Sequence, residues 1–347
     1  MKRVGMVDRR SLAIGVFAAL VALSQIETGR AQAPEGRGAG APQGRGAGGG
    51  RAGGGGFGAR GPSFTPDAGA KDMKSVLFNW TWHMGMLRSG NESELVKTLD
   101  YYSESGTIQV DGQPCTLAKA AEPALGSYHV QVNYQVPGWR TQYECKRANG
   151  TTYKNVEVVS GEYAWDEDIP GAELVPGKGK ATPKPASRDE RLIRLWASPH
   201  GAPKAAIAGA VGLPVSESFG QNPAVLFDRQ AAAGVKPTTT MTWQGDKVVF
   251  TFPIPGVAGA IATATLDSGY LPERVVVKHG ANTTEFVYTD YQDWNNPLFK
   301  IEALYAGRIV ERRNGTVVRD IKTKVTEIGQ VYVIMPVPDS VQKAGGK

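Results

Sequence analysis

The residue best placed to do chemistry is His200, which lies between Ser198-Pro199 and Gly201 at the end of an apolar helical stripe. There it can serve as a general base or polar contact at a cavity mouth. Equally, it can pair with the free carbonyls of a helix C-terminus, the more ordinary role. The other histidines, His83, His129 and His279, are scattered. None of the four has the i,i+2 or i,i+4 partner that a metal site needs, and no metal or cofactor is expected. Glu162, Asp166, Glu167 and Asp168 cluster around Trp165. Paired carboxylates beside an aromatic platform suit sugar chemistry or calcium, but the spacing matches no calcium loop and a solvated acidic turn accounts for it better. Tyr288, Asp290, Tyr291, Asp293 and Trp294 read as a strand end and turn with aromatic anchors. No strand–GxGxxG–helix or Walker pattern occurs. Most of the seven tryptophans belong in a core, yet some can line a cavity. The candidate ligand-binding set is therefore Trp196, His200, Trp139 and Trp165, with His200 the one weak catalytic candidate.

Elements must hold these groups. Met73, Val76, Leu77, Trp80, Met84 and Leu87 form one stripe of a helix over 70–88, with Asp67 as its N-cap and Ser89-Gly90-Asn91 as its stop. Tyr128 to Val136 alternates, and after Pro137-Gly138 the period of two returns through Trp139, Thr141, Tyr143 and Cys145, which is hairpin grammar. Alternation recurs at 153–159 and 162–165. Residues 170–186 read as a surface loop. Ser187 and Glu190 fit a capping box ahead of a stripe made by Leu192, Leu195 and Trp196. Pro199-His200-Gly201 breaks that helix, and an Ala-rich stretch, 203–213, resumes it. From Thr238 onward short turns separate strand candidates at 238–243, 247–254, 260–266, 273–279, 283–289, 298–304, 307–312, 316–326 and 330–335. Short turns force antiparallel pairing.

The chain of 347 residues carries a formal charge of +6, which invites a nucleic-acid reading. Its location argues otherwise. Residues 1–33 and 34–62 each hold a net +3, leaving residues 63–347 formally neutral. The first 33 residues form an export signal: a basic start, a short apolar run from Leu12 to Leu23, and Ala31-Gln32-Ala33 for cleavage after Ala33. Arg9-Arg10 adds a twin-arginine hint. Of the 29 residues from Pro34 to Pro62, 14 are glycine, so this is a Gly/Arg-rich flexible linker. Residues 63–340 read as one domain, with 341–347 a disordered tail and no transmembrane segment after signal cleavage. In an oxidising compartment, the pair Cys115 and Cys145 favours a disulfide over two buried thiols.

Specific motifs then line up: Ser-Gly-Glu-Tyr-Ala-Trp at 160–165, Leu-Trp-Ala-Ser-Pro-His-Gly at 195–201 followed by Lys204-Ala205-Ala206, Leu-Pro-Glu-Arg-Val at 271–275, Tyr-Thr-Asp-Tyr at 288–291 and Met-Pro-Val-Pro at 335–338. Over roughly residues 70–340 the chain resembles the exported module that precedes a metallo-β-lactamase domain in some bacterial proteins, within the LolA-like superfamily. The resemblance implies a mainly β fold with helices (α+β): a curved antiparallel half-barrel, helices packed on its concave face, and an apolar cavity between them. The HxHxDH motif of the hydrolase domain is absent, so zinc chemistry is not carried over. The reading is a periplasmic or secreted carrier for an apolar or amphiphilic ligand, leaning away from catalysis. Two alternatives stay open: an exported enzyme acting in the same cavity, and an accessory protein docking an envelope partner. Nucleic acid is not expected.

Overall fold

In the computed structural model, the described residues are 64, 66–87, 96–117, 127–218, 221–294, 303–329 and 332–345. They fall in one compact unit, Gly56–Lys347. The signal and the whole of the linker assigned above, and the Ser89–Asn91 stop, lie outside the described residues.

The chain opens with helix α1 (Met73–His83), then strands β1 (Thr98–Val110), β2 (Gln113–Leu117), β3 (Tyr128–Asn133), β4 (Gly138–Arg147), β5 (Thr152–Ser160), β6 (Tyr163–Glu167) and β7 (Ala181–Pro183). Four helices follow: α2 (Arg188–Ala197), α3 (Gly201–Val211), α4 (Val215–Ser218) and α5 (Pro223–Ala232). The second run of strands is β8 (Thr240–Gln244), β9 (Lys247–Pro253), β10 (Ile261–Leu266), β11 (Pro272–His279), β12 (Asn282–Thr289), β13 (Gln292–Asp293), β14 (Leu304–Tyr305), β15 (Arg308–Arg313) and β16 (Thr316–Ile328), with helix α6 (Asp339–Gly345) last. All strand pairs are antiparallel. The main sheet runs β7-β6-β5-β4-β2-β1-β16-β15-β12-β11-β10-β9-β8, with β3 bridging β1 and β4. The long pairing of β1 with β16 joins the two runs. Cys115 and Cys145 form a disulfide between the adjacent strands β2 and β4.

The sheet curls. Helix α2 packs against β4, β5 and β6 and also against β11. Six strand steps separate β4 from β11, about 29 Å in a flat sheet, whereas a helix with side chains is only about 10–12 Å across. Only a sheet wrapped around the helix meets both sides. The helices thus occupy the concave face, α3 packing on β9, α2, α4 and α5. A second, smaller apolar cluster joins Val156, Val158, Trp165, Val333, Met335 and Val341.

Several local expectations change. The cap of α1 is Asp72, whose carboxylate accepts from the Ser75 N–H at 3.0 Å, not Asp67. Ser187 makes no capping bond, because a 3-10 turn at Pro185–Ser187 leaves it with φ −91° and ψ −4°, whereas a cap needs an extended backbone. Residues 134–137 form the turn of the β3–β4 hairpin, so Tyr134 and Val136 leave the strand. Residues 332–335 pair with no strand, although Val333 and Met335 are buried. The C-terminal tail expected over 341–347 is helical through Gly345, because Val341 is buried and α6 packs on β6 and β7.

Candidate functional site

Helix α2 divides two cavities. Arg188, Leu192 and Trp196, spaced i, i+4 and i+8, lie on one face and line a cavity of about 470 Å³. Glu190 and Arg194, about 200° around the helix, line another of about 220 Å³.

The larger cavity is apolar. Its other walls are Ala205 and Ala208 of α3, Leu213 and Val215 after it, and Pro253 and Pro255 beside the β9–β10 turn. Small side chains on α3 leave the room, while Leu192 and Trp196, themselves buried, give a rigid apolar floor. Arg188 and Glu162 are the charged residues among its lining. They pair at 2.6 Å, and the Arg188 guanidinium also donates to the Gly256 carbonyl at 2.9 Å. One side chain thus ties the β5–β6 turn to the β9–β10 turn. Gly256 has φ +75°, and a Cβ there would lie 3.7 Å from the guanidinium; glycine takes that left-handed conformation without strain.

The smaller cavity is charged. Behind it Glu311, 1% exposed, accepts from Arg313 at 2.8 Å, Arg319 at 3.1 Å and Arg194 at 3.4 Å. Glu190 bridges Arg194 and Arg313, and Glu157 accepts from the Tyr143 hydroxyl at 3.0 Å. Burial alone would raise the Glu311 pKa, but Arg319, Arg194 and Arg313 outweigh it and hold the carboxyl well below its usual range. Arg194 is pushed up: burial opposes its charge, and Glu311, Glu190 and Glu157 more than compensate.

The residues singled out from sequence are not brought together. Trp196 lines the apolar cavity. Trp139 packs in the core, edge-on to Tyr101, with its Nε1 donating to Thr141. Trp165 lies in the second cluster and donates to Glu167. His200 is fully buried beneath the α2–α3 junction, its ring 5.4 Å from that of Tyr305, and it does not line either cavity. Neither of its ring nitrogens completes a well-formed hydrogen bond. Burial pushes its pKa down to about 3, helped by Lys204 and opposed by the backbone of Leu304 and Met84, so it is neutral at ordinary pH. The acidic cluster is dispersed rather than a single turn. Glu162 sits on Arg188, Asp166 on Arg191 at 2.5 Å, and Asp168 accepts from the Lys180 N–H, while buried Glu167 accepts from Trp165 and the Gly171 N–H. Tyr288 donates to the Ala197 carbonyl at 2.6 Å and so anchors the end of α2. Sequence reading missed Arg188, Ala208 and the whole charged cavity. The i,i+4 spacing of Arg188, Leu192 and Trp196 was the available signal. Among the described residues no group of His, Cys, Asp and Glu is arranged to hold a metal ion, and no helix is long and apolar enough to cross a membrane.

No family model matches the chain, and neither does any curated protein. Among solved structures it is similar to a putative outer membrane lipoprotein-sorting protein domain from Vibrio parahaemolyticus and to a LolA superfamily protein from Nitrosomonas europaea. Each is 8% identical with a TM-score of 0.33, over 78% of this chain and 97% of the other.

Proposed function

We propose that this protein is an exported binding or carrier protein for an apolar or amphiphilic, lipid-like ligand, and that it performs no catalysis. The observation that carries the reading is the apolar cavity of about 470 Å³ between α2, α3 and the turns of the curled sheet. Its size and lining fall in the range of small-molecule sites. Trp196 is the member of the sequence-derived set assigned to this ligand. Binding is passive: each methylene buried there contributes about 0.8 kcal/mol, and the α2–α3 pair forms the wall a ligand lies against. The disulfide between Cys115 and Cys145 supports an oxidising, periplasmic or secreted setting. The enzyme alternative draws no support from His200, which is buried and lines neither cavity. The test is uptake of a fluorescent fatty acid by delipidated protein, alongside native mass spectrometry of protein from its own host. Saturable uptake supports the carrier reading; no uptake and no retained ligand overturn it.

A further inference from the structure

We propose that the ligand carries an anionic head, a carboxylate or phosphate, which Arg188 binds at the cavity mouth in place of Glu162. The proposal rests on the apolar cavity being the ligand site. Arg188 opens α2, four residues before Leu192 and eight before Trp196, so its head group stands at the rim above the apolar floor. Its side chain is only 17% exposed. Two of its partners belong to the frame: the Gly256 carbonyl at 2.9 Å and Asp189, the next residue, at 2.8 Å. The third is different. Glu162 holds the remaining amino group at 2.6 Å, yet its own side chain is 79% exposed on the tip of the β5–β6 turn. The buried Nε of Arg188 has no partner.

This is a guanidinium fixed in orientation by the fold, with one outer edge occupied by a displaceable carboxylate. A planar fork of this kind matches carboxylate and phosphate oxygens. Glu162, itself 79% exposed, returns to water when displaced, and the incoming anion keeps the mostly buried guanidinium paired. A ligand whose tail lies along Leu192 and Trp196 brings its head to the same place. Glu162 is then a built-in competitor for the head group. Asp189 and the Gly256 carbonyl stay on the other amino group and hold the guanidinium in orientation.

The competition gives two substitutions of opposite sign. In the full chain, affinities for a fluorescent fatty acid, its methyl ester, the matching alkyl phosphate and the matching alkylamine are compared. The acid or the phosphate is expected to bind about tenfold more tightly than the ester, the scale of one charge-assisted hydrogen bond; whichever leads names the head. Arg188→Gln brings acid and phosphate affinity down to that of the ester measured in the same variant, and circular dichroism reports that the variant is still folded. Glu162→Gln raises acid affinity severalfold by removing the competitor. The proposal is overturned if the preference survives Arg188→Gln, if the amine binds most tightly, or if Glu162→Gln weakens the acid. Absence of binding by all four probes overturns the carrier reading itself, a distinct result from ester binding without an acid preference.

Discussion

The two cavities beside α2 share a helix and differ in what their walls require. On the face of Leu192 and Trp196 the walls are mostly apolar side chains packed on one another, and the charged pair Arg188–Glu162 stands at the mouth. On the face of Glu190 and Arg194 every wall charge depends on a counter-charge: Glu311 needs three arginines, and Arg194 needs three carboxylates. A ligand can enter the first without breaking the fold. Anything entering the second must compete with a network that holds α2 to β5, β15 and β16. Volume alone does not mark a site: the cavity whose walls are indifferent to its contents is the one suited to a ligand, and the charged one is a fastening.

The largest effect that would break this contrast is on the charged side. Glu311→Gln leaves Arg194, Arg313 and Arg319 around a neutral group, and removing one partner of a buried ion network costs about 3–5 kcal/mol. Urea unfolding should show a loss of that size, while the folded fraction binds the fatty acid normally. Normal stability with lost binding would reverse the roles of the two cavities. The same carboxylate has a pH signature. Its folded pKa lies below the unfolded value, so its stabilisation is present above about pH 4 and is lost as pH falls further, through the folded value.

His200 belongs to neither cavity and acts in a different pH window. Its folded pKa of about 3 lies below its ordinary value of 6.5. Between these values the unfolded chain takes up a proton that the folded chain refuses, so stability falls as pH drops below 6.5. The slope is about 1.4 kcal/mol per pH unit, or about 2 kcal/mol by pH 5. His200→Leu should flatten stability between pH 6.5 and 5 and leave fatty-acid binding unchanged. Loss of binding in this variant while it stays folded would place His200 at the site after all.

The elements were more legible than the site. Period-two alternation locates the β3–β4 hairpin and most of the later strands, because each buries one face. It passes over β1, whose pairing with β16 has register shifts after Asp100 and after Tyr102; each bulge resets the alternation. Asn222-Pro223 was a readable start for α5, since the Asn222 side chain accepts from the Ala224 N–H. The capping box failed at both of its members: the 3-10 turn sets the Ser187 backbone, and Glu190 is turned elsewhere. Glu190 is taken by Arg194 and by Arg313, and the second of these lies 123 positions away. The site suffers from the same distance. Residue type marks tryptophan as large and apolar, but Trp139, Trp165 and Trp196 differ only in what the fold puts opposite them. The charged cavity is assembled from β1, β3, β4, β5, α2, β15 and β16, and no local window contains it.

The finest test concerns the space itself. Ala208 lines the apolar cavity and is 6% exposed. Ala208→Phe places a ring where the ligand tail would lie. The added side chain enters existing space rather than a packed wall, so overpacking should stay below about 1 kcal/mol, under the usual 1–3 kcal/mol of a filled core. Fatty-acid affinity should fall about tenfold, equivalent to about 1.4 kcal/mol, and ester affinity should fall with it, because both tails need the same volume. That parallel loss separates the space-filling change from one at Arg188, which acts on the head alone. Unchanged affinity for both probes would mean that the tail lies elsewhere, and the contrast between the two faces of α2 would then describe packing and not function.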